Sequence, residues 1–114
     1  MLCLMKPSLL IAGAGYLGSE IKRIAEPHYQ VYTLTKSGTG DSMVCDLSND
    51  AEVARIAATI PSPDLVIHCA SSGRGGPDAY HGVFVKGCRA LADHCPKRHL
   101  LFTCLLSTSY AAAH

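Results

Sequence analysis

Hydrophobic positions along the chain change their spacing several times, from short continuous apolar runs to apolar residues three or four positions apart. Continuous or alternating runs are typical of β-strands, and the wider spacing is typical of amphipathic helices. The pattern predicts strands at about residues 8–12, 30–35, 42–45, 64–68 and 99–106, and helices at about residues 16–26, 49–59 and 79–94. Strands and helices are therefore expected to alternate along the sequence.

The ends of the predicted helices are marked by proline and by capping residues. Pro27 is expected to end the first helix and Pro96 the third, because the residue before a proline avoids the helical conformation. Ser48 or Asn49 is a candidate N-cap for the second helix. The residues expected to face the core are Leu17, Ile21 and Ile24 in the first helix, and Val53, Ile56 and Ala57 in the second.

The fourth predicted strand, Asp64–His68, is a continuous apolar run. Such a run is expected of a strand that is buried on both faces, in a parallel sheet covered by helices. The alternation of elements predicts an α/β fold, with a doubly wound parallel sheet of five strands and right-handed crossovers. The chain has 114 residues, enough for a single domain spanning 1–114.

Composition narrows the class of protein. Apolar residues make up 48% of the sequence and the net charge is +1, so the chain is expected to fold, with no nucleic-acid or membrane partner. None of the six cysteines belongs to a C-x-x-C pair, and we interpret them as reduced, mostly buried residues of a cytoplasmic protein. The apolar part of the N-terminus is too short for a signal peptide, and Lys6 lies on the wrong side of it.

A glycine motif follows the first predicted strand directly. Gly13, Gly15 and Gly18 form G-x-G-x-x-G between this strand and the first helix. The first glycine permits a tight turn, the second lets the backbone approach a pyrophosphate, and the third lets the helix pack closely on the strand. The phosphates then bind at the positive end of the helix dipole. This arrangement predicts a Rossmann-type domain that binds a dinucleotide cofactor.

The end of the second predicted strand is expected to select the cofactor. An acidic residue there would bind the ribose diol of NAD, but the sequence has Lys36 and Ser37. A lysine beside a hydroxyl suits a 2′-phosphate, which favours NADP over NAD. The alternative is that Lys36 is a solvated turn residue, as most lysines are. Asp46, after the third strand, is either an acceptor for the adenine amino group or a cap or turn aspartate.

Two further groups of residues carry weaker chemical hypotheses. His94, Cys95 and His99 do not have the spacing of a zinc site, and we interpret them as surface histidines beside a packed cysteine. His68 and Cys69 are adjacent in a strand, so their side chains are expected on opposite faces of the sheet. A joint nucleophilic site at this pair is therefore not expected.

Several segments, in order along the chain, resemble the N-terminal half of an extended short-chain dehydrogenase/reductase, most closely the NAD-dependent epimerase/dehydratase family. Ile11–Gly18 and Cys45–Leu47 resemble its glycine turn and its adenine-contacting segment. Asp64–Ser71 resembles its fourth strand, and Ala79–Leu91 the helix with its V-x-G pattern. Ser107–Tyr110 is similar to the S-T-S-V-Y that follows the family's fifth strand. The resemblance covers nearly the whole chain.

The resemblance implies roles for individual residues. In the family, three glycines and the backbone groups between them hold the pyrophosphate, and they match Gly13, Gly15 and Gly18 with Tyr16 and Leu17. Two residues that contact adenine match Asp46 and Leu47, and two that lie along the cofactor ribose match Ala70 and Ser71. The serine or threonine that bonds the substrate oxygen matches Ser107 or, alternatively, Thr108.

The family's catalytic pair, Tyr-x-x-x-Lys, lies on one helix face, whereas the sequence has this spacing only at Tyr32 and Lys36, in and directly after the second predicted strand. The pair therefore has no counterpart on a predicted helix. In such a pair the lysine lowers the tyrosine pKa for proton exchange with the substrate. One hypothesis is that the chain is the cofactor-binding portion of an oxidoreductase acting on sugar nucleotides or similar substrates, truncated after strand 5 relative to the family. The alternatives are a catalytically silent dinucleotide-binding module, which senses redox state or binds a partner, and a non-functional truncated product.

The fifth predicted strand combines high β-propensity with low charge and contains no proline; it is His99–Leu106. A strand of this composition at an open sheet edge tends to pair with another chain. We therefore expect self-association through this strand.

Overall fold

The computed structural model describes residues 6–13, 15–38, 40–69, 81–95 and 99–102, with the backbone alone at 81 and 99–102. The strands are β1 (Ser8–Ala12), β2 (Gln30–Thr35), β3 (Met43–Val44), β4 (Leu65–His68) and β5 (His99–Phe102). The helices are α1 (Tyr16–Ala25), α2 (Asp50–Thr59) and α3 (Gly87–His94). A π-helical segment, His81–Lys86, leads directly into α3.

The strands form one parallel sheet with the order β3-β2-β1-β4-β5. β1 lies in the middle, where Leu10 pairs with Tyr32 of β2 on one side and with Val66 of β4 on the other. Four strands have four to six residues, and β3 at one edge has two, fewer than the four predicted. The prediction of a Rossmann-like α/β parallel sheet is confirmed.

Apolar residues cover both faces of the sheet, so the sheet is the middle layer of the fold. On one face, Leu10 and Val66 pack with Val53 and Ile56 of α2 and with Leu91 of α3. On the other face, the packed residues come from β1, β4 and α1: Leu9, Ile11, Ile67, Ile21 and Ala25. Burial of β4 on both faces, expected from its continuous apolar run, is confirmed because Val66 and Ile67 belong to opposite sides.

Of the inner face predicted for α1, Ile21 is confirmed, whereas Leu17 and Ile24 are wrong. Ile24 is 62% exposed and Leu17 is 37% exposed. The residues that face the sheet are Gly18, Ile21 and Ala25, of which Gly18 is buried. The reason is the close approach of the helix at Gly18, which turns the stripe containing this glycine toward β1 and leaves Ile24 at the surface.

The start of α2 confirms one of its two candidate caps. The side-chain oxygen of Asn49 accepts hydrogen bonds from the backbone N–H groups of Ala51 and Glu52, at 3.1 and 3.3 Å. Ser48 instead donates its hydroxyl to Asp46. Val53 and Ile56 are buried and Ala57 packs against the same core, as predicted from the helical spacing.

The third predicted helix is divided into two parts. Residues 81–86 are π-helical and only Gly87–His94 is α-helical. Within the first part, the carbonyl of Val83 accepts a hydrogen bond from Nε2 of His68 at 3.1 Å. Residues 79–80 of this prediction, and residues 103–106 of the predicted fifth strand, lie outside the described residues.

The cysteines that the structure describes are free thiols: Cys45, Cys69, Cys88 and Cys95. Cys45 and Cys95 are buried, and the other two are partly exposed.

Within the described ranges, no helix combines the length and apolar character needed to cross a bilayer.

Candidate functional site

The candidate cofactor residues that the structure describes follow the carboxyl ends of β1, β2 and β3. Because the strands are parallel, these ends lie along one edge of the sheet. The chain runs from β1 outward through β2 to β3, then crosses to the opposite side of β1 to form β4. In open α/β sheets, ligands bind at the carboxyl edge beside such a reversal of strand order. The glycine turn after β1 lies at this point.

The glycine turn is anchored to the strands on both sides of β1. The N–H of Gly13 donates to the carbonyl of Leu34 in β2 at 2.8 Å. Across β1, the N–H of Cys69 donates to the carbonyl of Ala12 at 2.9 Å. Gly13 has a φ of 107°, a backbone conformation that favours glycine. The first glycine of the motif therefore makes the turn that the sequence analysis assigned to it.

The second and third glycines have opposite surroundings. Among the described residues, no atom lies within 4 Å of a β-carbon placed at Gly15, so these residues leave the space above it open. A β-carbon at Gly18 would overlap the carbonyl oxygen of Gly13 and would lie 3.1 Å from the sulfur of Cys69. Thus Gly18 is required for packing of the helix on the strand, whereas Gly15 leaves room for a ligand.

The beginning of α1 is suited to an anion. Gly15 is its N-cap, and among the described residues no side chain caps the helix there. The first turn contains no acidic residue, and Tyr16 is 88% exposed. N–H groups in the first turn of a helix have no intrahelical acceptor and lie at the positive end of the dipole. The turn therefore presents positive potential beside the open space at Gly15.

The end of β2 places both predicted cofactor-selecting residues at the surface. Lys36 and Ser37 are exposed, directly after the last residue of β2. The loop turns back at Gly38, which has a φ of 73° and donates its N–H to the hydroxyl of Thr35 at 2.7 Å. No acidic residue occupies the end of β2.

Asp46 is a turn aspartate, which is one of the two roles that the sequence leaves open. Its Oδ1 accepts from both the N–H and the hydroxyl of Ser48, at 3.0 and 2.6 Å. The bond from the Ser48 hydroxyl is the main cause that lowers the Asp46 pKa from its usual value, and the ammonium of Lys36 lowers that pKa further. Lys36 and Asp46 therefore interact electrostatically across the ends of β2 and β3. Leu47 is buried in the core, so its side chain is a packing group.

Comparison with known proteins bears directly on this site. The model of the NAD dependent epimerase/dehydratase family matches residues 9–112. The chain belongs to this family. The match begins within β1 and contains the glycine turn, β2, the segment with Asp46, and β4. A search of curated proteins gives no match.

Solved structures similar to this member of the epimerase/dehydratase family support its fold. One is a short-chain dehydrogenase/reductase superfamily protein from Agrobacterium tumefaciens with bound NAD, with a TM-score of 0.66 and 20% identity over 83% of this chain and 31% of that chain. Another is the protein lin1944 from Listeria innocua, with a TM-score of 0.57 and 21% identity over 75% of this chain and 47% of that chain. The chain thus spans less than half the length of these structures.

Other candidate residues of this family member lie outside the described residues. Ala70 and Ser71, matched to the cofactor ribose, follow β4 beyond the last described residue there. Ser107 and Thr108, the alternatives for a catalytic hydroxyl, also lie beyond the described part of the chain. The roles of these four residues remain predictions.

His68 and Cys69 point to opposite faces of the sheet, as predicted. The ring of His68 is buried on the α3 side, stacked on Phe84 with ring centroids 5.1 Å apart. Burial lowers the pKa of His68, although the hydrogen bond with Val83 opposes this effect. Cys69 packs on the α1 side, against the glycine turn. The contact of Cys69 with this turn was missed, because it depends on β4 lying beside β1, which the residues around Cys69 do not specify.

Near the end of α3, the side chains that the structure describes do not form a metal site. Nε2 of His94 lies 2.9 Å from both carboxylate oxygens of Asp50 at the start of α2. Cys95 is buried, and the side chain of His99 is outside the described residues. Within the described part of the chain, no group of three or more His, Cys, Asp or Glu residues is arranged to hold a metal ion.

Proposed function

We propose that this chain binds a nicotinamide dinucleotide, with the pyrophosphate at the glycine turn and at the start of α1. The observation that carries the proposal is the open space at Gly15, beside a tightly packed Gly18, at the switch point between β1 and β4. Open space and an uncapped helix start are what an approaching pyrophosphate needs. Membership of a NAD-dependent family supports the same ligand class.

The adenosine end of the cofactor would extend toward β2 and β3, and we propose NADP over NAD. Lys36 and Ser37 are exposed at the end of β2, where a 2′-phosphate could be bound by an ammonium and a hydroxyl. Asp46 would accept from the adenine amino group through its carboxylate. One of its oxygens already accepts from Ser48, which holds the carboxylate in a fixed orientation.

A bound nicotinamide would supply hydride transfer. The described residues would bind and orient the cofactor: the turn fixes the pyrophosphate, and the exposed groups after β2 select the ribose. We propose that the chain is the cofactor-binding portion of an epimerase/dehydratase-type oxidoreductase that acts on sugar nucleotides or similar substrates. Ser107 or Thr108 would bind the substrate oxygen in such an enzyme.

Calorimetric titration of the purified chain with NADPH and NADH, together with the variant Gly15→Val, tests the cofactor site. Residue 15 has a φ of −72°, which valine adopts, and a β-carbon there meets no atom of the described residues within 4 Å. The variant should therefore fold, with a capping loss of about 1 kcal/mol, while the valine occupies the space for the pyrophosphate and abolishes binding. Ala58→Val, at an exposed position of α2, controls for an added valine. Binding of neither nucleotide, or unchanged binding in Gly15→Val, would refute the site.

A catalytically silent dinucleotide-binding module is the second candidate. It is favoured by one observation, that the Tyr-x-x-x-Lys spacing occurs within the 114 residues only at Tyr32 and Lys36, in and directly after strand β2, and not on one face of a helix. Loss of a general acid/base alone lowers rates by about 10²- to 10⁴-fold. The chain should therefore bind cofactor without turning over sugar nucleotides. Steady cofactor reduction that Gly15→Val abolishes would contradict this candidate.

A further inference from the structure

The thiol of Cys69 lies where the glycine turn, β1 and α1 meet. Its sulfur is 3.5 Å from the carbonyl oxygen of Gly13, to which the thiol donates a hydrogen bond. The same sulfur is 3.1 Å from the β-carbon position of Gly18. The backbone N–H of Cys69 donates to the carbonyl of Ala12 at 2.9 Å. One residue therefore contacts the strand end, the turn and the helix.

These contacts act on the peptide group that opens the turn. The C=O and N–H of a peptide group lie in one plane, so holding the Gly13 carbonyl fixes the orientation of the whole group. On the other side, the N–H of Gly13 is held by Leu34 at 2.8 Å. With both its N–H and its C=O bonded, Gly13 keeps its φ of 107° and cannot swing without breaking a hydrogen bond.

We propose that Cys69 is a positioning residue for the pyrophosphate site: its thiol holds the Gly13 carbonyl and supports Gly18, so that the turn is formed before the ligand arrives. This inference rests on the proposed dinucleotide-binding function. Burial raises the pKa of the Cys69 thiol, which keeps the S–H group protonated as a donor at neutral pH.

Two measurements test the role of Cys69, one with ligand and one without. The affinities for ADP, which carries a pyrophosphate, and for adenosine, which does not, are compared in wild type, Cys69→Ala, Cys69→Ser and the control Cys88→Ala. Cys88 is also a partly exposed free thiol, but it lies on α3. In the free chain, NMR hydrogen exchange of the Gly13 amide is followed in the same variants.

Cys69→Ala is expected to weaken ADP binding about three- to tenfold, the range for loss of one neutral hydrogen bond, and to leave adenosine binding unchanged. Cys69→Ser retains a donor and should recover most of the affinity. Exchange of the Gly13 amide should be faster in Cys69→Ala and near wild type in Cys69→Ser. If Cys69→Ala does not fold, Cys69→Val, which fills the space without a donor, replaces it.

The possible results separate this inference from the proposed function. Equal losses for ADP and adenosine, equal effects of Cys69→Ala and Cys69→Ser, or a comparable loss in Cys88→Ala would overturn the positioning role. If wild type binds no ADP, the proposed function fails, and the amide exchange of Gly13 still decides whether Cys69 holds the turn.

Discussion

A β-carbon on Gly18 would overlap the carbonyl oxygen of Gly13, so helix α1 can approach β1 only with a glycine at this point. The Gly13 oxygen cannot move away freely, since it accepts the thiol hydrogen bond of Cys69. We therefore expect Gly18→Ala to lower the free energy of unfolding by about 1–3 kcal/mol, as overpacked sites do.

Gly15→Ser is the matched variant for this prediction, because serine is a favoured N-cap and a β-carbon at Gly15 meets no atom of the described residues within 4 Å. Its free energy of unfolding should equal or exceed that of wild type. Urea denaturation followed by circular dichroism measures both variants. Equal stability of Gly18→Ala and Gly15→Ser would show that the helix moves away from the strand at little cost.

Lys36→Ala should weaken NADPH binding and leave NADH binding unchanged. The ammonium of Lys36 is exposed at the end of β2, and a charge-assisted hydrogen bond to a 2′-phosphate contributes about 1.5–3 kcal/mol. Because the site is solvated, we expect a loss at the lower end, roughly tenfold in Kd. Lys86→Ala, at an exposed lysine before α3, is the control. A similar loss for both nucleotides in calorimetry would exclude recognition of the 2′-phosphate by Lys36.

The buried ring of His68 should make stability depend on pH. Desolvation lowers its pKa from the ordinary 6.5 in the folded state, so the unfolded chain takes up this proton more readily. The contribution of neutral His68 to the free energy of unfolding is fully present above pH 6.5. It is lost progressively as the pH falls from 6.5 toward the lowered pKa of His68 in the folded state. Thermal unfolding between pH 7.5 and 5 should show this decline in wild type.

His68→Gln removes the titrating group, so the decline in thermal stability with falling pH should become shallower by the amount that His68 contributes. The variant is nevertheless expected to be less stable than wild type at every pH. His28→Gln, at an exposed histidine, should leave the decline as it is in wild type. An unchanged pH profile in His68→Gln would show that another group causes the decline.

The chain should self-associate through β5. In the described sheet, β5 pairs with β4 along one side and lies at the edge of the strand order. The sequence His99–Leu106 carries little charge and no proline, so its outer backbone groups can pair with another chain. Lysines introduced by Leu101→Lys and Leu105→Lys should reduce the association, because charge along an edge disfavours pairing. Light scattering over a range of concentrations measures this, and a stable wild-type monomer at high concentration would contradict it.

Local sequence signals predicted the strands, the first two helices, the second part of the third helix and the turn, because each depends on residues that are close in sequence. They did not predict the π-helical segment His81–Lys86. The glycine spacing predicted both the turn at Gly13 and the close approach at Gly18. The orientation of α1 was predicted wrongly, because hydrophobic spacing alone does not distinguish Leu17 and Ile24 from Ile21. The contact of Gly18 with the strand, which the glycine spacing does predict, selects the stripe that faces the sheet.

Contacts between distant segments were also not predictable from local pattern. The bond between Cys69 and Gly13 and the packing of His68 under Phe84 depend on which strands become neighbours. For Asp46, the sequence left two roles open, and the structure shows the turn role through Ser48. For Lys36 too the sequence left two roles open; its exposure agrees with both, and its role toward a 2′-phosphate stays a prediction.

The central place of β1 has a consequence for how the chain folds during synthesis. Leu9 pairs with Val31 in β2 and with Leu65 in β4, and the second partner leaves the ribosome much later than the first. Until then a nascent chain can form only the elements that precede β4, which are β1, α1, β2, β3 and α2, with one side of β1 unpaired. Parallel pairings between distant segments form slowly and leave apolar surface open in the interval. A chaperone that binds short apolar stretches would therefore meet β1 in this interval, because β1 is synthesised before either of its neighbours and receives its last neighbour only when β4 arrives.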